Sequence, residues 1–207
     1  MEFADVVRRR RMVRSYDPDR PVPDELVELV LRNATRAPSA GFAQGWAFLV
    51  LRTDADRAAF WAATDDGEPP DSWLAGLQRA PVLILCLSDK ETYLARYAEG
   101  DKGWTDRDEA RWPVPYWDID TGMAALLMLL TAVDEGLAGC FFGVPPEDMA
   151  AVHDTFGIPP ALTPIGVVSL GYRAPDRPGS AGKRSRRGLD EVAFEGRWGS
   201  PLRSSEV

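Results

Sequence analysis

Histidine and cysteine are almost missing from this 207-residue chain, which has one of the first and two of the second. Cys86 and Cys140 are too few for the disulfide framework of a secreted domain, and they have no metal-ligand spacing. Cys86 falls in an apolar run and reads as a small core residue. The lone histidine, His153, sits beside the Met149, Val152 and Phe156 stripe of a helix, so a structural place is expected for it rather than acid–base work. Positive charge is also in deficit. Lys and Arg number 24 against 32 Asp and Glu, a formal net charge of −8, and such a surface repels nucleic acid and anionic membrane. Long apolar runs are lacking too: Met123 to Val133 is short for a bilayer. Glu2, Asp5 and Arg8 to Arg11 follow Met1 where a signal peptide has its apolar segment. The expectation is a soluble cytoplasmic protein with neither nucleic acid nor membrane as partner. No metal site is expected, since Asp118 and Asp120 suit the start of a helix better than a pair of ligands.

What is present is ordinary globular material, with 45% hydrophobic and 27% charged residues. The length suits one domain or one half of an intertwined dimer. Residues 2 to 10 can form a short helix. Pro23-Asp24-Glu25 opens an amphipathic one, with Leu26, Val27, Val30, Leu31 and Ala34 on its buried stripe. Trp46 to Leu51, Val82 to Leu87 and Pro164 to Leu170 read as strands. Short helices are expected near residues 54 to 64 and 71 to 79, and Ser88 to Glu91 reads as a capping box that starts another. Asp118 to Glu135 is apolar on almost every face and ends at Gly136, so it must be buried centrally or shared with a partner chain. Pro146-Glu147-Asp148 opens a further helix that stops at Gly157. Strands alternating with helices indicate α/β or α+β, a sheet covered by helices.

Four segments can carry chemistry. The first, Arg8 to Tyr16, is rich in arginine, whose planar fork pairs well with phosphate; by itself it reads as a solvated basic helix end. The second, Ala37-Pro-Ser-Ala-Gly-Phe-Ala-Gln-Gly-Trp46, has small residues that let backbone approach a flat ligand. Its Ser39 and Gln44 can offer hydrogen bonds, but alone it is a helix-to-strand connection. The third is Gly136 to Pro145. The fourth is Lys183-Arg184-Ser-Arg186-Arg187 with Leu189 to Val192 behind it.

In this order the pieces resemble the FMN-dependent nitroreductase family. Its pattern runs Arg-Arg-Ser-Val-Arg-x-Phe, then Ala-Pro-Ser-x-x-Asn-x-Gln-Pro-Trp-x-Phe, and then a buried helix ending in Ala-x-x-x-Gly-Leu-Gly. A Leu-Gly-Tyr strand end and a basic Arg-x-x-Leu-x-Glu-Val segment close it. The matching stretches are Arg10 to Tyr16, Ala37 to Phe48, Asp120 to Gly143, Pro164 to Tyr172 and Arg184 to Val192. The resemblance implies an α+β fold with a central, mostly antiparallel sheet flanked by helices, assembled as an intertwined homodimer with FMN at the interface. Residues 1–207 would form one domain, 89–117 a lid or insert over the flavin, and 173–207 an extension embracing the partner subunit.

The same resemblance assigns Arg10 and Arg14, with Arg11 beside them, to the phosphate and ribityl chain, and Arg184 and Arg186 to the other side of that clamp. Ser39, Gly41 and Gln44 would contact ribityl or ring atoms. Phe142, Gly143 and Val144 would lie against the ring from the partner subunit. No catalytic side chain is expected, because the flavin itself takes hydride from NAD(P)H and passes it to a small electron-poor aromatic, a nitroaromatic or quinone-like acceptor.

Several residues depart from the family pattern. Met12 stands at the usual serine, leaving backbone contact there; Phe42 replaces Asn, Gly45 replaces Pro, and Trp73 falls where some members place a ring-contacting Asn. The ring end is therefore more apolar and aromatic. That opens other chemistries on the same fold (dehydrogenase, dehalogenase, flavin-fragmenting or deazaflavin-linked), or a non-catalytic FMN-binding storage protein. The aromatics from Tyr93 to Trp117 form either a lid over the flavin or a surface subdomain packing its own small core.

Overall fold

The computed structural model describes residues 1–175 and 184–202. The chain divides into two compact units, Met1–Pro175 and Asp176–Val207.

The first unit is built on four strands, β1 (Trp46–Leu51), β2 (Val82–Asp89), β3 (Ala138–Phe142) and β4 (Leu162–Gly171). They lie in the order β1-β2-β4-β3. Every pair is antiparallel, in keeping with the expected sheet. β2 is buried along nearly its whole length, and alternate side chains on a strand point to opposite faces. Val82, Ile84 and Cys86 therefore enter one core with Val168 and Leu170 of β4. Leu83, Leu85 and Leu87 enter the other with Val167.

The first core is closed by α2 (Asp24–Ala34) and α6 (Tyr116–Asp134), which pack on each other. Val27, Val30 and Ala34 supply the buried side of α2, with Leu26 and Leu31 packed against it. α6 is long and apolar enough to cross a membrane, but half of that window is buried within the protein. Its place between sheet and α2 accounts for an all-round apolar composition. α6 ends where the sequence indicates, with Gly136 at φ 72°.

The second core is closed by α3 (Asp54–Ala63), α4 (Ser72–Leu77) and α7 (Met149–Phe156), through Phe60, Leu77 and Val152. α1 (Phe3–Arg9) and α5 (Lys90–Ala98) complete the unit. α7 stops at Gly157, φ 60°, where the His153 ring Nδ1 lies 3.1 Å from the Ile158 carbonyl oxygen. The histidine therefore has the structural place read for it. The second unit holds α8 (Leu189–Val192) and a single bridge between Phe194 and Pro201.

Two local readings need correction. α5 is capped by Asp89, whose carboxylate accepts the Thr92 N–H at 3.2 Å. Ser88 is still in β2 and donates its hydroxyl to Asp118 at 2.6 Å. The segment after Gly136, read only as leaving the long helix, contains strand β3. Its five residues are too few, and too rich in glycine, to show an alternation in sequence.

Burial pushes the Cys86 thiol up to about 12, and the side chain is fully enclosed. Iodoacetamide at pH 8 should therefore leave Cys86 unmodified in the folded protein and label it rapidly in 6 M guanidinium. Mass spectrometry of the digested protein measures this, and labelling without denaturant would contradict the packing.

Candidate functional site

The segment from Arg10 to Tyr16 is held extended along the free edge of β3. Met12 bridges Gly139 in parallel, and the Val13 N–H donates to the Gly139 carbonyl at 3.0 Å. Further on, the Asp17 N–H donates to the Tyr172 carbonyl at 2.9 Å, carrying the chain past the end of β4. Tyr16 anchors the stretch from below. Its ring is fully buried, and its hydroxyl donates to the Val13 carbonyl at 2.8 Å and lies 2.8 Å from Ser169 Oγ. Burial raises the Tyr16 pKa well above the usual phenol value, so the hydroxyl remains a donor across the physiological range.

Alternation along this extended stretch puts Val13 into the core and leaves Arg10, Met12 and Arg14 on the opposite face. Arg10 Nη1 and Arg14 Nε are buried and have no hydrogen-bond partner among the described residues. A buried guanidinium donor without an acceptor is costly. Two of them, four residues apart on one extended segment, leave donors to which an anionic oxygen could be matched. Neither arginine has an ion pair among the described residues, although the chain carries eight more acidic than basic groups. Arg14 Nη1 reaches only the Met12 carbonyl, at 3.5 Å. Arg11 turns away, donating to the Arg8 and Arg10 carbonyls at 2.6 and 2.8 Å. The Met12 sulfur takes the Phe141 N–H at 3.4 Å, so the side chain standing for serine closes the strand edge.

Phe142 ends β3, Gly143 and Val144 follow directly on it, and the three thus continue the edge that Met12 joins. In one chain the arginines and this turn come together. Val144 is buried in the second core, and Gly143 is exposed. The Phe142 ring stacks on Trp61 at 5.9 Å and meets Trp73 edge-on at 6.4 Å. Trp73 belongs to α4, whose N-terminus is capped by Asp71, so it reaches the ring end of the site through Phe142.

The Ser39–Gln44 loop lies elsewhere. It precedes β1, at the far edge of the sheet. Trp46 is level with Ser88 and Thr163, whereas Gly139 is level with Leu170. Seven residues of strand and three strand spacings separate the two corners, roughly 25 Å on a diagonal. The loop is unusual in its backbone. Gly41, Phe42 and Gln44 have φ of 61°, 57° and 54°. For an aromatic residue such as Phe42, that region costs about 1–2 kcal/mol, so the surroundings must enforce it.

They do so from four directions. The Gln44 N–H donates to Ser39 Oγ at 3.0 Å, and the Ala40 N–H to Asp120 Oδ2 at 2.8 Å. Arg96 Nε donates to the Gly41 carbonyl at 2.9 Å. A side chain on Gly41 would meet the Tyr97 ring at 2.7 Å, and one on Gly45 the Tyr93 ring at 2.4 Å. Gly45 thus stands where the family has proline because Tyr93 fills that space.

Tyr93 and Tyr97 belong to the aromatic cluster of residues 93–117. Trp112 is its hub, with ring centroids 4.5 to 6.0 Å from Tyr93, Tyr97, Trp104, Tyr116 and Trp117. Ion pairs rim it: Lys90–Glu109, Arg107–Glu91 and Arg111–Asp106. These aromatics pack a small core of their own, and that core backs the Ser39–Gln44 loop. Asp120 reads from sequence as a helix-start acid that can still approach the flavin pocket; nothing in its spacing reveals that it reaches across to Ala40.

Arg184 and Arg186 lie in the second unit, exposed, just ahead of α8. Arg187 is engaged by Glu191, through its carboxylate at 3.2 Å and its carbonyl at 2.6 Å. Arg184 and Arg186 have no ion pair among the described residues, which distinguishes them from Arg187 within the basic run; Lys183 lies outside the described residues.

Four likenesses bear on this arrangement. A model described as the nitroreductase family matches residues 7–172. A protein provisionally named NADH dehydrogenase/NAD(P)H nitroreductase from Archaeoglobus fulgidus is 31% identical over 173 residues, 83% of this chain and 85% of its own. An NADH dehydrogenase of Thermus thermophilus is 29% identical over 184 residues, 80% of this chain and 84% of its own. Among solved structures, a provisionally named nitroreductase in complex with FMN from Exiguobacterium sibiricum superposes with a TM-score of 0.70 at 20% identity, covering 93% of this chain and 96% of its own. At that identity the likeness speaks for the fold alone.

The packing of Arg14 gives a direct test. A Cβ on Gly76 of α4 would fall 2.0 Å from the Arg14 carbonyl oxygen. Glycine to alanine inside a helix ordinarily stabilises by about 1 kcal/mol. Gly76→Ala should instead destabilise by about 2 kcal/mol, because backbone cannot yield as a flexible side chain does. Urea denaturation decides the sign.

Proposed function

The chain belongs to the nitroreductase family, and from that premise we propose that it is an NAD(P)H-dependent oxidoreductase that binds FMN and acts on a small electron-poor aromatic, a nitroaromatic or quinone-like acceptor. The observation that carries the cofactor reading is the pair of buried, unpartnered donors on Arg10 and Arg14. A phosphate monoester supplies the oxygens they lack, in the geometry a guanidinium prefers. The residues present fit FMN in that respect. Arg10 and Arg14 hold the phosphate and ribityl end, and Arg184 and Arg186 complete the clamp.

Bound FMN supplies the two-electron chemistry between NAD(P)H and the acceptor. The chain's own work is positional and electrostatic. The arginines bring positive charge to a negatively charged cofactor, and in a site shielded from water that charge favours an anionic reduced ring. Met12, Phe142 and Gly143 shape the strand edge beside the ring. Ser39, Gly41 and Gln44 form the opposing wall.

In one chain that wall lies roughly 25 Å from the arginines, wider than one flavin mononucleotide. This separation supports a homodimer in which the loop of one copy completes the site of the other. The exposed side of α6 supports the same assembly. Ile119 and Leu126 stand in water there, 43% and 47% exposed, next to half-buried Met123, Leu127 and Leu130. An apolar helix face of that kind is normally covered. On this reading Phe142, Gly143 and Val144 serve the same flavin as their own chain's arginines, and it is the Ser39–Gln44 loop that the partner subunit lends.

A second reading, another flavin chemistry on the same fold, is favoured by Met12, the exposed Phe42 and Trp73 at the ring end. Cofactor identification by mass spectrometry followed by product analysis separates the two.

Anaerobic NADPH or NADH should bleach the visible flavin band of the purified protein; a band that persists with both refutes the pyridine-nucleotide part. Arg14→Ala should weaken FMN binding by about 10- to 100-fold, the worth of a charge-assisted contact, as measured by fluorescence titration. Light scattering should give twice the chain mass, and Leu126→Glu should return monomers that lose flavin on gel filtration. A monomeric wild type that retains FMN would overturn the shared-site assembly.

A further inference from the structure

We propose that Asp120 is a positioning residue of this site, fixing the Ser39–Gln44 loop and, through it, the outward-facing Phe42 ring at the face where an aromatic acceptor binds. The inference rests on the FMN reading and adds to it the residue that sets acceptor fit.

Asp120 is 2% exposed, near the start of α6. It has no ion pair among the described residues. A carboxylate there is costly unless its hydrogen bonds are made, and an apolar side chain would serve packing better. Its Oδ2 instead takes two donors, the Ala40 N–H and the Tyr93 hydroxyl, each at 2.8 Å. One oxygen thereby ties the loop, the aromatic cluster and the central helix together. Burial and the neighbouring carboxylate together raise the Tyr93 pKa far above the usual phenol value, so its proton stays in place.

The loop needs such a tie. Its left-handed Phe42 and Gln44 relax unless held. The other holds are at the surface: Arg96 on the Gly41 carbonyl, itself gripped by Asp101 at 2.7 and 2.8 Å, and Ser39 on Gln44. Asp120 is the anchor within the core. What it keeps in place is a ring 74% exposed, on a loop that the family pattern assigns to the flavin. A flat apolar ring presented outward suits stacking on a planar aromatic, and the enforced backbone keeps it from collapsing onto the protein.

Because both donors meet one oxygen, asparagine can replace the carboxylate and alanine cannot. In flavin-free protein, exchange of the Ala40 amide should quicken at least about tenfold in Asp120→Ala and stay near wild type in Asp120→Asn. In FMN-loaded protein, with nitrobenzoate as acceptor, Asp120→Ala and Phe42→Asn should both raise KM at least about fivefold, with kcat less affected. Phe42→Asn should also melt at higher temperature, since Asn tolerates left-handed backbone. If Asp120→Ala does not fold, Tyr93→Phe removes one donor and Phe42→Asn tests the ring; an unchanged KM in Phe42→Asn overturns the proposal. FMN-loaded Asp120→Ala with wild-type Ala40 exchange and KM, and only a lower melting temperature, overturns the Asp120 assignment alone. Wild-type protein that takes up no FMN overturns the cofactor reading, and the acceptor claim with it.

Discussion

Both faces of β2 and β4 are apolar, and that constraint orders the rest of the molecule. A strand with Ile84 and Cys86 on one side and Leu83 and Leu85 on the other must be covered twice. α2 and α6 cover one face, while α3, α4 and α7 cover the other. The middle of the sheet then has no room for a ligand. Polar function is displaced to the two edges: the arginine segment along β3 and the Ser39–Gln44 loop ahead of β1. The breadth of the sheet sets their separation. A site that draws on both edges therefore calls for two chains, and the uncovered stripe of α6 provides a surface on which they can meet.

Electrostatics sharpens the division between the edges. Several surface basic residues are matched with acids: Arg57 with Asp54, Arg96 with Asp101, Arg107 with Glu91, Arg111 with Asp106. Arg10 and Arg14 have no ion pair among the described residues, and one nitrogen of each, Arg10 Nη1 and Arg14 Nε, is shielded from water without a hydrogen-bond partner there. What sets the pair apart is that burial, since an exposed guanidinium without a carboxylate is satisfied by water. Tyr16 and Gly76 explain how the segment tolerates it: one pins the strand from below and the other leaves room for its backbone.

The helices and the three longer strands were legible because each has a clean period or clear punctuation. Trp46 to Leu51 is bounded as read, and Gly136 and Gly157 close their helices in left-handed turns. β3 was hidden because two of its five residues are too small or ambiguous to register as apolar alternation. Ser88 misled because β2 runs two residues past its last apolar side chain, Leu87, moving the cap to Asp89. Arg10, Arg14 and the loop residues were singled out by their order along the chain. Their distribution over opposite sheet edges was not, since it depends on pairing between strands far apart in sequence. The partners of Asp120 were hidden for the same reason: Ala40 and Tyr93 are 80 and 27 residues away.

The departures from the family pattern at the ring end are coupled rather than independent. Gly45 gives up proline's rigid ring, and the Tyr93 side chain occupies that space. Tyr93 in turn directs its hydroxyl to Asp120, and the same carboxylate oxygen holds the loop bearing Phe42. Gly41 has no side chain because Tyr97 lies against it. The loop's rigidity, lost with proline, is thus restored from outside by the aromatic cluster. A loop stiffened by its own proline would hold its shape whatever lay behind it. One stiffened by Tyr93, Tyr97 and Asp120 takes its shape from residues 93–120, and on the proposed reading changes there would alter acceptor fit while leaving Arg10 and Arg14 as they are.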